Sequence, residues 1–330
     1  MKNTDVVIIG AGPVGLFAGF YAGMRGLEAI IVDKLEVPGG QLAALYPEKY
    51  IYDIAGFHQI KAQELVDNLL VQMSRFEQTT KLSLNNGVTE IEKLENGNFV
   101  VTTEKEIINA KAIIIAAGNG IFKPRTMGLQ NESEFSNIHY FVQDMSVFKD
   151  KKVAIFGGGD SALDWSLMLE SIASEVNVIH RRNEFRAHEH TVNEAKASSI
   201  NLLTPFTPTQ LMGSNGKITS IKITDTKTKE IKEISVDDVI CNFGFVSNLG
   251  PIKEWDLELI GQKVAVDTTQ KTSIDGIYAI GDICMYPGKS PLIANGFGEA
   301  PIAINSCFQK INPDAVAGSI HSSSIIGGGH

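Results

Sequence analysis

Cysteine is nearly missing from this chain: Cys241, Cys284 and Cys307 are the only three among 330 residues, and no C-x-x-C occurs. An odd, scattered set argues against a disulfide scaffold and against a thiolate metal centre, and it places the protein in a reducing compartment, the cytoplasm. Positive charge is also in short supply. Lys and Arg number 29 against 38 Asp and Glu, a formal net charge of −9. General binders of nucleic acid or of anionic membranes are more often basic, so neither is expected as a partner. No run of 18 apolar residues offers a membrane span. The apolar start, Val6 to Phe20, lacks a basic flank and a cleavage site and is broken by Gly10, Gly12, Pro13, Gly15 and Gly19. It reads as strand, turn and helix rather than a leader peptide.

What is present is ordinary globular material, 43% apolar and 20% charged, in a length that fits two domains. Buried-strand runs alternate with helical stretches. Asp5–Ile9 is predicted as a strand, Val14–Arg25 as a helix and Glu28–Val32 as the next strand, one βαβ unit of a parallel sheet. Gln63–Phe76 is an amphipathic helix, Asn98–Thr103 and Glu106–Asn109 a hairpin, and Ala112–Ala116 a further buried strand. The pattern then restarts. Lys152–Phe156 is a strand, Gly157–Ala162 a glycine-rich turn, Leu163–Ala173 a helix and Val176–Ile179 a strand. Alternating stretches follow at Ile218–Ile223 and Ile231–Val236, then Lys263–Val266, Gly276–Ile280 and a last helix, Leu292–Gln309. The first unit lacks the strands to close alone. Residues 1–118 and 247–330 are therefore expected to form one discontinuous domain, with 122–243 inserted in it.

The turns carry chemistry. Gly10-Ala-Gly12-Pro-Val-Gly15 follows a strand and opens a helix, the arrangement that lets a backbone approach a pyrophosphate at a helix N-terminus. Asp33 ends the next strand, where a carboxylate accepts from ribose hydroxyls and repels a 2′-phosphate. Gly157-Gly-Gly159-Asp160-Ser161-Ala162 repeats the fingerprint, but its second strand ends in His180-Arg181-Arg182, with Arg186 close behind. Guanidinium groups match a phosphate bidentately, so this unit is expected to take NADP(H) over NAD(H). A third motif, Thr272, Gly276, Ala279 and Gly281-Asp282, places an acid at a strand end before a long helix. There a carboxylate can bond a flavin's ribityl chain and a helix N-terminus can face the ring.

Together these strings resemble the low-molecular-weight thioredoxin reductases. Their redox C-x-x-C has no counterpart here, because the matching stretch, His139 to Asp144, holds no cysteine. What fits is the thioredoxin-reductase-like (type 2) ferredoxin/flavodoxin–NADP+ reductases, over nearly the whole chain. Gly39-Gly-Gln41-Leu, Ala44-Leu-Tyr46-Pro-Glu-Lys-Tyr, Ala117-Gly-Asn-Gly120, Phe122-Lys-Pro-Arg125, Phe185-Arg-Ala-His-Glu-His190, Phe297-Gly-Glu-Ala-Pro301 and His321-Ser322 carry that resemblance. It implies an α/β fold of two Rossmann-like, three-layer ββα dinucleotide-binding domains, thioredoxin reductase-like, one inserted in the other. It implies FAD and NADP(H) as cofactors, ferredoxin or flavodoxin as electron partner, and a homodimer. It also implies FAD contacts at Gly10, Gly12, Gly15, Asp33, Gln41, Tyr46, Val88, Phe122, Asp282 and Ser323. NADPH contacts follow at Gly157, Gly159, Asp160, Ser161, Ala162, His180, Arg181, Arg182 and Arg186.

The same resemblance puts Tyr46 against one flavin face and His321 over the other, the two catalytic positions, with no protein acid or base required. Taken alone, Tyr46 is ordinary core packing and His321 an ordinary solvated tail residue. Partner docking on so acidic a chain needs a local basic patch, for which Lys123, Arg125, Lys149, Lys151 and Lys152 are candidates by charge. Two other readings share the architecture. One is an NADPH oxidase or diaphorase. The other is a disulfide reductase without C-x-x-C, such as the bacillithiol disulfide reductases, which carry a cysteine in the first glycine loop where this chain has Val14.

Overall fold

The computed structural model describes residues 1–142 and 144–315, with the side chain of Phe122 left out. The chain divides into two compact units, one of residues 1–121 with 247 onward, the other of residues 122–246.

The first unit is built on a seven-stranded sheet. Strand Lys2–Ile9 runs parallel to Ala29–Val32 on one side and to Ile107–Ile115 on the other, and Thr80–Ser83 continues the parallel set beyond Ala29–Val32. Alternate residues of the first strand face two cores. Val6 and Ile8 pack with Leu16 and Phe20 of helix Pro13–Met24, with Leu65 and Leu69 of helix Ala62–Ser74, and with Ala303 and Ile304 of helix Ile293–Ile311. Val7 and Ile9 pack on the opposite face with Phe99, Val101, Trp255 and Val264. Each fully buried Ile or Leu of these cores contributes about 1.5–3 kcal/mol.

Glu106–Asn109 and Ala112–Ala116, expected as a hairpin arm and a separate strand, form one strand, Ile107–Ile115. Its first half pairs antiparallel with Phe99–Thr103 and alternates in burial. Its last four residues are all buried, and Ile113–Ile115 pair parallel with Ile277–Ala279. One strand thus changes from a half-solvated meander to a fully covered parallel sheet, and its sequence changes character midway for that reason.

The second unit has a five-stranded, all-parallel sheet in the order Ile138–His139, Asp238–Cys241, Lys152–Phe156, Glu175–Ile179, Asn201–Leu203. Val153 and Ile155 face helix Asp160–Glu170, meeting Leu163, Trp165 and Leu169. Ala154 and Phe156 face a three-stranded antiparallel sheet, meeting Phe206, Leu211, Ile221 and Ile223. That is the three-layer ββα arrangement. Helix Asp160–Glu170 begins three residues before the expected Leu163, because Asp160, Ser161 and Ala162 form its first turn and the glycine turn proper is only Gly157–Gly159. Among the described residues no helix is long and apolar enough to cross a membrane.

Candidate functional site

In the first unit the chain turns at Gly10, whose φ of +112° and whose approach to Ala116 leave no room for a side chain: an added Cβ would lie 2.4 Å from the Ala116 carbonyl oxygen. A Cβ at Gly15 would lie 1.9 Å from the Gly10 carbonyl oxygen. Gly12 is different. It has ordinary extended backbone (φ −69°, ψ 178°), and among the described residues nothing stands within 4 Å of where its Cβ would be. Gly159, the matching residue of the second fingerprint, repeats this, with φ −101°, ψ −179° and open space above. Each is the N-cap of its helix, and neither helix has a side-chain cap. Two helix N-termini with bare amides and clear space over the cap glycine fit a pyrophosphate.

Asp33 stands beside the first turn. Its Oδ2 accepts the Ala11 N–H at 2.6 Å and its Oδ1 the Leu35 N–H at 2.8 Å. Burial raises its carboxyl pKa above the usual range, against the lowering pull of these amides. Gly39 donates to the Ala11 carbonyl at 2.8 Å, which ties the glycine turn to the short helix Gln41–Leu45 and so to Gln41 and Tyr46. Asn86 donates to the Asp33 carbonyl at 2.8 Å and brings Val88, two residues on, toward the same edge. Tyr46 is half-buried; burial, and next the nearby Asp282 carboxylate, push its hydroxyl pKa up. The Asp282 carboxylate has no hydrogen-bond partner among the described residues, an acceptor left available at a half-buried place. Phe122 lies in the strand Ile121–Pro124. The positions of His321 and Ser323 lie outside the described residues.

In the second unit Gly157, Gly159, Asp160, Ser161, Ala162, His180, Arg181, Arg182 and Arg186 all line one cavity of about 630 Å³. None of the three guanidinium groups makes an ion pair among the described residues. Gly158 carries no side chain because a Cβ would sit 2.2 Å from His180 Nδ1. The His180 ring stacks on Phe185 at 5.4 Å, and its buried Nε2 has no hydrogen-bond partner among the described residues. Burial first, and further down the three arginines, hold its pKa below the ordinary value, against the raising pull of a hydrogen bond to the Glu184 backbone. Asp160 accepts the His188 N–H at 2.9 Å and fixes the loop that follows the arginines.

Sequence reasoning missed three other walls of this cavity: Arg125–Met127, Phe206–Pro208 and Asn242–Phe245. Arg125, a docking candidate by charge, lines the same cavity. Lys151, another, is ion-paired to the buried Asp238 at 2.7 Å. The only available signal was the pair of cations, Lys123 and Arg125, on either side of Pro124.

The stretch that holds no cysteine has structural duties. Asp144 caps the turn Met145–Phe148 by accepting the Ser146 N–H at 2.8 Å, and His139 Nε2 meets Asp238 Oδ1 at 2.7 Å. All three cysteines are free and buried. Burial pushes the Cys241 and Cys284 thiols up to about 12 and Cys307 well above its ordinary value, so none is a thiolate at neutral pH.

Two glycine turns at helix N-termini, one beside Asp33 and the other beside Arg181, Arg182 and Arg186, in a chain whose three cysteines are all buried, suit a two-nucleotide oxidoreductase of the thioredoxin reductase-like fold. The chain belongs to the pyridine nucleotide-disulphide oxidoreductase family, which it matches over residues 4–306. It is 53% identical over 326 residues to ferredoxin–NADP reductase 2 of Bacillus licheniformis, covering 98% of this chain and 97% of that one. It is 50% identical over 326 residues to ferredoxin–NADP reductase 2 of Bacillus subtilis, covering 98% and 97%. Thioredoxin reductase of T. acidophilum matches with a TM-score of 0.77 at 28% identity, over 94% of this chain and 99% of that one. Bacillithiol disulfide reductase Bdr of Staphylococcus aureus matches with a TM-score of 0.72 at 19% identity over 94% and 99%, a likeness of fold alone.

Proposed function

We infer that this protein is an FAD-dependent ferredoxin–NADP+ reductase, moving electrons between NADP(H) and ferredoxin or flavodoxin. One observation carries the reading: two bare glycine turns, one backed by Asp33 and the other by Arg181, Arg182 and Arg186, in a chain without a reactive thiol. The names of relatives that match almost the whole chain point the same way. Bound FAD supplies the exchange between the two-electron chemistry of NADP(H) and the one-electron chemistry of the carrier.

The chain's own residues bind and orient. Residues 1–118 and 247–330 are the FAD domain and 122–243 the NADPH domain. Gly10, Gly12 and Gly15 admit the FAD pyrophosphate to the amides of helix Pro13–Met24, and Asp33 takes ribose hydroxyls. Asp282 takes the ribityl chain. Gln41, Val88, Phe122 and Ser323 complete the FAD contacts, with Tyr46 on one ring face and His321 over the other. In the other unit Gly157 and Gly159 admit the NADPH pyrophosphate, and Arg181, Arg182 and Arg186 neutralise the 2′-phosphate. A homodimer working in the cytoplasm fits the resemblance and the scarcity of cysteine.

The inert thiols give a direct test against disulfide chemistry. A variant with Cys241, Cys284 and Cys307 all changed to alanine is expected to reduce ferredoxin with NADPH within about twofold of the wild-type rate, because no thiolate takes part. Neither protein is expected to reduce thioredoxin. Loss of ferredoxin turnover in a variant that keeps its FAD and its melting temperature would contradict the reading. Val14, at the position where the rival reductases carry a thiol, fills the space beside Gly281 and Gly296.

A further inference from the structure

A buried ion pair sits behind the Gly281–Asp282 turn, and no step above uses it. Glu299, on helix Ile293–Ile311, is 3% exposed, and so is the side chain of its partner Lys289. The carboxylate is saturated with donors. Oε2 accepts the Gly281 N–H at 2.7 Å and the Cys284 thiol at 3.6 Å. Oε1 accepts the Tyr286 hydroxyl at 2.7 Å and the Lys289 ammonium. A buried pair of this kind is a poor source of stability, since apolar residues of similar volume often serve as well or better. Here it does something an apolar pair could not: it gives the Gly281 amide an acceptor.

That amide is the hinge pin of the turn. Gly281 has a φ of +75°, in the region that favours glycine, so the turn has little intrinsic preference to hold it in place. On the far side of Asp282, the Lys263 ammonium donates to the Asp282 carbonyl oxygen and also to Asn119 Oδ1, the latter at 2.7 Å. The backbone around Asp282 is thus clamped at both ends, while its own carboxylate is left without a hydrogen-bond partner among the described residues.

We propose that Glu299, charge-balanced by Lys289, is a positioning residue for FAD: it fixes the Gly281–Asp282 turn so that the Asp282 carboxylate is set for the cofactor before the cofactor arrives. This rests on the reading of Asp282 as an FAD ligand.

Two charge-neutral double variants separate positioning from charge. Glu299→Gln with Lys289→Met keeps an oxygen acceptor for Gly281. Glu299→Leu with Lys289→Met removes it. FAD affinity is measured by reconstituting the apoprotein, stability by its melting temperature, and folding of the second unit by binding of adenosine 2′,5′-bisphosphate. The Gln–Met protein is expected to bind FAD within about threefold of wild type, and the Leu–Met protein at least about tenfold more weakly, on top of the lower melting temperature that the unpaired Gly281 N–H and Tyr286 hydroxyl bring. A purely structural pair would move melting and not affinity. If the Leu–Met protein does not fold, Glu299→Asp keeps the charge but shortens the reach to Gly281, and the same tenfold weakening is expected of it. The proposal is overturned if FAD binds the Leu–Met protein, or in its place the Glu299→Asp protein, as tightly as wild type while Asp282→Ala binds it weakly. An Asp282→Ala protein with wild-type FAD affinity overturns the reading of Asp282, and the proposal with it.

Discussion

Changing Arg181 and Arg182 together to alanine is expected to raise the KM for NADPH about 100-fold or more and to leave that for NADH nearly unchanged. Both residues line the cavity of the second unit, and neither guanidinium is tied up in an ion pair among the described residues. Their charge is therefore available to a ligand. A charge-assisted hydrogen bond contributes about 1.5–3 kcal/mol, and about 1.4 kcal/mol is a factor of ten, so each arginine accounts for at least about tenfold. NADH lacks the 2′-phosphate and loses nothing specific. The two substrates thus form an internal control: a fold defect would harm both. Equal losses for NADPH and NADH would mean that the arginines do not read the 2′-phosphate.

The second large effect is expected at Gly12. Among the described residues nothing crowds a Cβ there, and the backbone is extended. Gly12→Val should therefore leave the apoprotein folded, at a cost of about 1 kcal/mol and a few degrees of melting temperature for an apolar residue at the N-cap. The isopropyl group would instead occupy the approach of the FAD pyrophosphate to the helix amides. With two or more charge-assisted bonds lost, at about 1.5–3 kcal/mol each, FAD affinity should fall at least about 100-fold. Gly15→Val is the contrasting variant. Its Cβ would lie 1.9 Å from the Gly10 carbonyl oxygen, so it should disrupt the turn itself and lower stability with or without FAD. Reconstitution of both apoproteins, followed by flavin fluorescence and thermal melts, checks the pair. Wild-type FAD affinity in Gly12→Val would remove the pyrophosphate from that turn.

Where the chain's local pattern and its tertiary role coincide, the sequence was legible. Ala29–Val32 and Lys152–Phe156 are apolar runs because both faces of a parallel sheet are covered, and the glycine turns after strands mark where helices begin. The helix Glu189–Ala197 was not foreseen, because Ala195 is its only buried residue and its polar face has no period to detect. The cavity was half legible. Its glycines and arginines lie in two short strings, whereas Arg125–Met127, Phe206–Pro208 and Asn242–Phe245 reach it from three distant parts of the chain. Such convergence is a property of the sheet order, which no local pattern encodes. Glu299 and Lys289 are the extreme case. Ten residues apart and both charged, they look like solvated surface in sequence, yet they are buried against each other.

Anaerobic titration of the FAD-loaded protein tests the central claim most directly. NADPH is expected to bleach the bound flavin stoichiometrically, with NADH far less effective. Oxidised ferredoxin or flavodoxin, added afterwards without oxygen, is expected to restore the flavin colour as the carrier becomes reduced, one electron per carrier molecule. A flavin that NADPH bleaches but that neither carrier reoxidises, while oxygen or a disulfide does, would contradict the account.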